Sequence, residues 1–296
     1  MEWIGSLCST ATALFWALAV VMFKMSGETL SPTALNLFKG IVSLVLLLPT
    51  LWMMGEPIFP PERAAGDWLL LGLSGVLGIT LADNLFFMAL KRIGAGLWAV
   101  VECLYLPLMI VFSAIWLGES IGVRGLVGAG LVVTAIIAGS HTDFSLDRPP
   151  KDFLIGLLMG AGAMLLLVLS IVLIKPLLDR TSVLWSTFVR MLGGVVGLLL
   201  LALLQGDRRQ ILAVLTPSPA WKLALPASII GNYLAVITWL AGLKFTLVSV
   251  AAILNQLSTI FTFILAAVLL KEPVTRRRMA AIVLAVAGAL LATVAG

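Results

Sequence analysis

One hydrophobic pattern is written twice along this chain of 296 residues. Residues 68–133 match residues 221–286 at a constant offset and without a gap. Trp68 falls on Trp221, Gly78 on Gly231, Ala82 on Ala235, Ala99 on Ala252, Glu119 on Glu272, Arg124 on Arg277 and Leu131 on Leu284. Upstream, Lys24 falls on Lys175 and Lys39 on Arg190. Each copy holds an odd number of apolar stretches long enough to cross a bilayer. The second copy must therefore enter the membrane from the opposite side.

Lipid is the only solvent that suits this chain. Hydrophobic residues make up 61% of it and charged residues 11%, against about 25% charged in a soluble domain. The mean hydropathy is +1.15. The net charge of +5 comes from basic residues in the loops, where they act as topology signals. No basic stripe with interleaved aromatics is present, so the charge does not point to nucleic acid. Cys8 and Cys103 lie in apolar runs, without metal spacing or the look of a disulfide pair. The first run lacks the basic leader and cleavage site of a signal peptide and reads as the first span.

A hydrocarbon core takes about 20 helical residues to cross. Ten stretches meet that length, near 4–24, 33–54, 67–90, 95–117, 121–140, 153–174, 182–204, 220–243, 248–270 and 275–295. Open sheets leave backbone unsatisfied in lipid, so these are helices. The expected fold is an all-α integral membrane protein, ten transmembrane helices in two inverted five-helix repeats. Residues 1–140 form the first repeat, 141–152 a polar linker and 153–296 the second repeat. Inverted repeats are a common build of secondary transporters, with the substrate site at the interface of the halves. Small residues at Ser74 and Gly78, Gly156 and Gly160, and Gly193 and Gly197 are spaced for close helix packing. Pro107, inside the fourth span, frees the carbonyl of Cys103 and predicts a kink; Pro226 predicts another in the eighth. Lys24, Lys91, Arg92 and Arg276 belong to the loop set richer in basic residues, and Arg63, Arg180 and Lys244 to the poorer set. The positive-inside rule puts the first set in the cytoplasm and both termini outside.

Four charged residues fall well inside spans: Lys39, Asp83, Glu102 and Arg190. A charge at the helix centre costs at least about 2.5–3.5 kcal/mol on insertion scales, so each faces a partner or water. Lys39, Asp83 and Glu102 each lie roughly 10 Å from the same membrane face, at 1.5 Å per residue. In the second copy Arg190 stands for Lys39, Asn255 for Glu102 with Gln256 beside it, and Val236 for Asp83. That half-site lies the same depth below the opposite face.

Three readings of these charges stay open. In one, Lys39 neutralises Asp83 or Glu102 and the cluster only pins helices together. In another, Asp83 or Glu102 couples transport to protons, because two nearby carboxylates in a low dielectric do not both ionise easily. In the third, Lys39 and Arg190 hold an anionic group of a substrate such as a carboxylate. Arg190 has the better claim, since no acid in its own half offers to neutralise it. Polar and aromatic residues at similar depths are candidates for lining a cavity: Trp16, Asn36, Asn84, Trp98, Tyr105, Asn232, Tyr233 and Trp239. Trp3, Trp52, Trp68 and Trp221 read better as interfacial anchors. Other chemistry lacks material. His141 is the only histidine, and neither a Walker loop nor a dinucleotide fingerprint appears, so neither a metal nor a cofactor is expected.

Several short motifs, taken in order, resemble the ten-helix EamA-type branch of the drug/metabolite transporter superfamily. They are Ala89-Leu90-Lys91-Arg92-Ile93-Gly94-Ala95 between spans three and four, Leu106-Pro107 within span four, and Leu117-Gly118-Glu119 before span five. Leu270-Lys271-Glu272-Pro273 echoes the last before span ten, and Gly78 to Phe87 also fits the branch. The resemblance covers essentially the whole chain. It implies export of small metabolites, often amino acids, by alternating access, from a bacterial cytoplasmic (inner) membrane. It also implies a structural role for Glu119 and Glu272 near a helix N-terminus, and both termini in the cytoplasm, against the charge count. A small zwitterion suits the buried charges, with its amine at Asp83 or Glu102 and its carboxylate at Arg190. The expected partners are that solute and the bilayer. A monomer suffices, since both repeats are in one chain. A lipid flippase of the same fold is the alternative, and a membrane-embedded enzyme a remote one.

Overall fold

The computed structural model describes residues 2–117, 123, 127–128, 130–131, 134–135, 150–178, 180–206, 208–245, 254–255, 257–272 and 274–293. Most of the expected fifth span, most of the expected linker with His141, Glu119 and Gln256 lie outside them. Every regular element among the described residues is a helix. Six of these helices are long and apolar enough to cross a membrane.

Helix α1 is Glu2–Ser26 and α2 is Pro32–Met53. Ser31 starts α2: its backbone is extended and its hydroxyl accepts from the Ala34 N–H at 3.3 Å, with Pro32 following. Ser182, its counterpart, starts α7 (Val183–Leu204) by accepting from Leu184 and Trp185 at 3.2 and 3.4 Å. Between them α3 (Ala65–Gly75), a π-helical segment π1 (Val76–Ala82) and α4 (Asp83–Glu102) follow one another directly along the chain. Together they make 38 residues, about 57 Å of helix at 1.5 Å per residue, against a hydrocarbon core of about 30 Å. The run therefore holds the third span and the start of the fourth. Gly94 divides them, at φ 79° and ψ 171°, a conformation open to glycine and rare for other residues.

The fourth span breaks a second time, where the sequence expects its kink. The N–H groups of Cys103 and Leu104 reach only three residues back, to Val100 and Val101, at 3.2 and 3.0 Å. Helix α5 (Tyr105–Leu117) then begins. Pro107 has no N–H to offer the Cys103 carbonyl, so the helix cannot continue through this point unchanged. The break leaves Glu102 at the end of one half-helix and Tyr105 at the start of the next.

The second half contributes α6 (Pro150–Val172), α7, α8 (Trp221–Ser228), a second π segment π2 (Ile229–Leu234), α9 (Ala235–Phe245), α10 (Leu257–Leu269) and α11 (Arg276–Thr293). The two π segments start at matched positions, Val76 and Ile229. Pro226 precedes only the second; Leu73 stands in its place in the first. Proline is therefore not what widens these helices. A wide turn loosens the backbone ladder, and in π1 the Ile79 carbonyl takes a hydrogen bond from the Asn36 amide at 2.8 Å.

The halves interlock. α1 packs on α8, π2, α9 and α10; α6 packs on π1, α4 and α5; α2 packs on π2 and α7 packs on π1. Exchanging the halves turns each of these contacts into another one present, as a two-fold axis between α2 and α7 requires. Small residues make the approach possible. A Cβ on Gly78 would fall 2.7 Å from the Ser170 hydroxyl, and one on Gly193 would fall 2.7 Å from the Gly72 Cα. The counterpart of Gly78, Gly231, packs against Ala19, which is the counterpart of Ser170. All six small residues singled out in the sequence sit where helices of different halves meet: Ser74, for example, donates to the Ser170 carbonyl at 2.6 Å, and Gly160 touches Val101 and Trp98.

Candidate functional site

A cavity of about 170 Å³ lies on this pseudo-two-fold axis. Lys39, Asp83, Glu102 and Arg190, the four charges expected inside spans, all line it. Its walls repeat as the sequence repeats. Lys39 and Arg190, Glu102 and Asn255, Tyr105 and Ser258, Gly78 and Gly231, Ile79 and Asn232, Asp83 and Val236, and Trp16 and Leu167 are matched pairs, and both members of each face the cavity.

The polar groups are bonded unequally. The Lys39 ammonium donates to the Asp83 carboxylate and, at 3.1 Å, to Asn232 Oδ1. It also sits 5.6 Å from the centre of the Phe87 ring, on the electron-rich face that attracts cations. The Asn232 amide returns two bonds to α2, to Ser43 Oγ at 2.7 Å and the Lys39 carbonyl at 3.2 Å. This knot joins α2 and α4 of the first half to π2 of the second. Glu102 accepts from the Trp16 indole N–H with Oε1, while its Oε2 is buried without a partner among the described residues. The same holds for Asn255 Oδ1. The Arg190 guanidinium reaches the Ser170 hydroxyl at 3.4 Å. Among the described residues no carboxylate lies within 4.0 Å of it.

Models of the EamA-like transporter family match residues 3–139 and again residues 154–294. The chain belongs to the EamA-like transporter family. It is 30% identical over 206 residues to an uncharacterized transporter, YvbV, of Bacillus subtilis (strain 168), a match that takes in 66% of this chain and 63% of that protein. A solved crystal structure of another protein superposes with a TM-score of 0.73, at 17% identity, over 99% of this chain and 98% of that one. That likeness concerns the fold alone. The family is one of transporters, which sets the enzyme reading aside.

Within this EamA-type bundle the other sequence candidates divide. Trp16, Tyr105, Asn232, Trp239 and Asn255 line the cavity, and the Tyr105 and Trp239 rings lie 6.4 Å apart. Asn36, Trp98, Tyr233 and Asn84 face elsewhere. Asn36 is spent on the π1 carbonyl, the Tyr233 hydroxyl bonds Thr50 Oγ1 at 2.6 Å, and Asn84 reaches Thr33 at 3.3 Å. Trp98 is fully buried against Phe86, ring centres 4.6 Å apart. Thr12, Thr187, Leu167 and Ser258 line the cavity and are absent from the sequence candidates. The repeat itself carries the signal for two of them: the offset that pairs Lys39 with Arg190 leads from Trp16 to Leu167, and the later offset leads from Tyr105 to Ser258.

Both membrane faces are tied. On one, Arg180 pairs with Asp67 at 2.7 Å, the Trp185 indole donates to the Ile58 carbonyl at 3.2 Å, and Lys244 donates to the Thr181 carbonyl at 3.2 Å. On the other, the Glu272 carboxylate accepts from the Ala95 and Gly96 N–H groups at 2.9 and 3.0 Å. It caps the first turn of the fourth span and so joins the two halves.

Proposed function

We propose that this EamA-type protein is a secondary transporter that exports amino acids or similar small zwitterions across a bacterial cytoplasmic membrane by alternating access. The observation that carries this reading is the pairing at the cavity. Asp83 is occupied by Lys39, whereas Arg190 has no carboxylate within 4.0 Å among the described residues and stands ready for one from a solute. An unpaired guanidinium in such a place favours an anion that can accept from its planar fork, and a carboxylate has that geometry. The volume favours a small solute, since sites for drug-sized ligands run from about 300 Å³ upward.

In the proposed cycle Lys39 and Arg190 face the one cavity from the two halves. Rocking of the halves about the α2–α7 axis would present the solute first to one side and then to the other. A proton on Asp83 or Glu102 is the coupling element: on Asp83 it would release Lys39 and loosen the knot to Asn232. Counterflow in proteoliposomes tests the whole reading. Purified protein is expected to exchange labelled amino acid against the same unlabelled solute, with net flux accelerated by an opposing proton gradient. Absence of exchange across a full set of amino acids by folded protein would refute it.

A further inference from the structure

We propose that Glu102 and Asn255 together form a subsite for a primary ammonium group, built across the two-fold axis from the broken fourth span and its counterpart. The inference rests on the transporter reading above and specifies the cationic end of its solute.

Each residue offers one buried oxygen that nothing among the described residues satisfies, Glu102 Oε2 and Asn255 Oδ1. Both residues line the one cavity, and they are the same position of the two repeats. A buried acceptor left without a donor costs about 1–3 kcal/mol, and more when it is charged. Two at symmetric positions in one cavity therefore call for a common donor. Of the other side-chain oxygens at the cavity, Asp83 Oδ2 and Asn232 Oδ1 are already taken by Lys39. Trp16 holds Glu102 by Oε1 and so leaves Oε2 for a ligand.

The chemistry of the donor follows. The negative charge of Glu102 favours a cation, and both acceptors need N–H groups. A primary ammonium carries three N–H donors and can serve both at once. A quaternary ammonium has none, so it would leave both oxygens unsatisfied even beside the Trp16, Tyr105 and Trp239 rings of the cavity. A bare metal ion would want six or more oxygens, more than this pair supplies.

The test uses full-length protein in detergent and three probes of one carbon skeleton: L-leucine, isoamylamine and isocaproate. Their effect on thermal unfolding reports binding. Isoamylamine is expected to stabilise the wild type, and tetramethylammonium is not. Glu102→Gln should weaken isoamylamine at least about tenfold while sparing isocaproate. Asn255→Asp, which adds a second carboxylate, should tighten isoamylamine about tenfold, a gain that misfolding cannot mimic. Nanodiscs with and without phosphatidylethanolamine separate a soluble amine from a lipid headgroup; competition by that lipid would support the subsite with a lipid as its source. Equal isoamylamine affinity in wild type, Glu102→Gln and Asn255→Asp would overturn the proposal. So would isocaproate and leucine binding without any effect of isoamylamine, an outcome that leaves the carboxylate role of Arg190 standing.

Discussion

Lys39 and Arg190 hold the same place in the two halves and meet different partners: Lys39 is bonded to the Asp83 carboxylate, while Arg190, among the described residues, reaches the Ser170 hydroxyl, at 3.4 Å. The difference comes from one substitution between the copies. Where the first half has Asp83 the second has Val236. The matched walls of the cavity therefore differ in charge at this position, with a carboxylate beside Lys39 and an apolar side chain at the place that corresponds in the second half.

The paired cation gives a stability prediction. Lys39 is 3% exposed and Asp83 19%, so removing one partner leaves a charge largely shut off from water. Lys39→Met is expected to cost about 3 kcal/mol. Lys39→Met with Asp83→Asn should recover most of it, because no charge is then left alone. Thermal unfolding of the two single variants and the double variant checks this. Simple additivity would mean that the pair does not couple.

The Glu272 cap gives a second. Two hydrogen bonds from helix-end N–H groups to one carboxylate are expected to contribute about 1–3 kcal/mol. Glu272→Ala should lower the melting temperature and the yield of folded protein. Glu272→Gln, which keeps one acceptor oxygen, should fall between. Equal stability of Glu272→Ala and the wild type would remove the cap from this account.

Lys271 directs that carboxylate and is strained in doing so. It ends α10 with φ at 55° and is the only non-glycine residue at positive φ among those described. The first copy has Gly118 at the matched position. Lys271→Gly is expected to stabilise the protein by about 1 kcal/mol, the cost of left-handed backbone for a residue with a Cβ. A lower melting temperature for Lys271→Gly would contradict this.

The basic loops predict an orientation. Phe59, in the loop that carries Arg63, is 75% exposed. With Cys8 and Cys103 replaced by Ala, Phe59→Cys should react with an impermeant maleimide added to intact cells, and Lys222→Cys should not. The reverse pattern would place both termini in the cytoplasm.

Much of this could be read in the chain, for definite reasons. The constant offset between copies made Gly78 and Gly231 equivalent, and they pack against equivalent residues. Burying a charge in lipid is costly enough that Lys39, Asp83, Glu102 and Arg190 were bound to meet at a polar place, and one cavity gathers them. Pro107 marked the break above Glu102. The π segments left no mark: Pro226 precedes one and Leu73 stands in the other. Which way a polar side chain turns was also hidden. Asn36 lies at the right depth but is claimed by the Ile79 carbonyl, a demand that exists only because the helix widens there. Thr12 and Thr187 are ordinary residues of spanning helices, and only the packing of neighbours puts them at the wall.

The most direct measurement is counterflow of an amino acid by Arg190→Ala and Arg190→Lys in proteoliposomes, beside binding of isocaproate to the same proteins. Loss of an unpaired guanidinium that holds a carboxylate should reduce flux by about 100-fold or more, and Arg190→Lys should keep only a part of it, since a point charge does not replace a planar fork. Folded Arg190→Ala that exchanges amino acid and binds isocaproate as the wild type does would contradict the central claim.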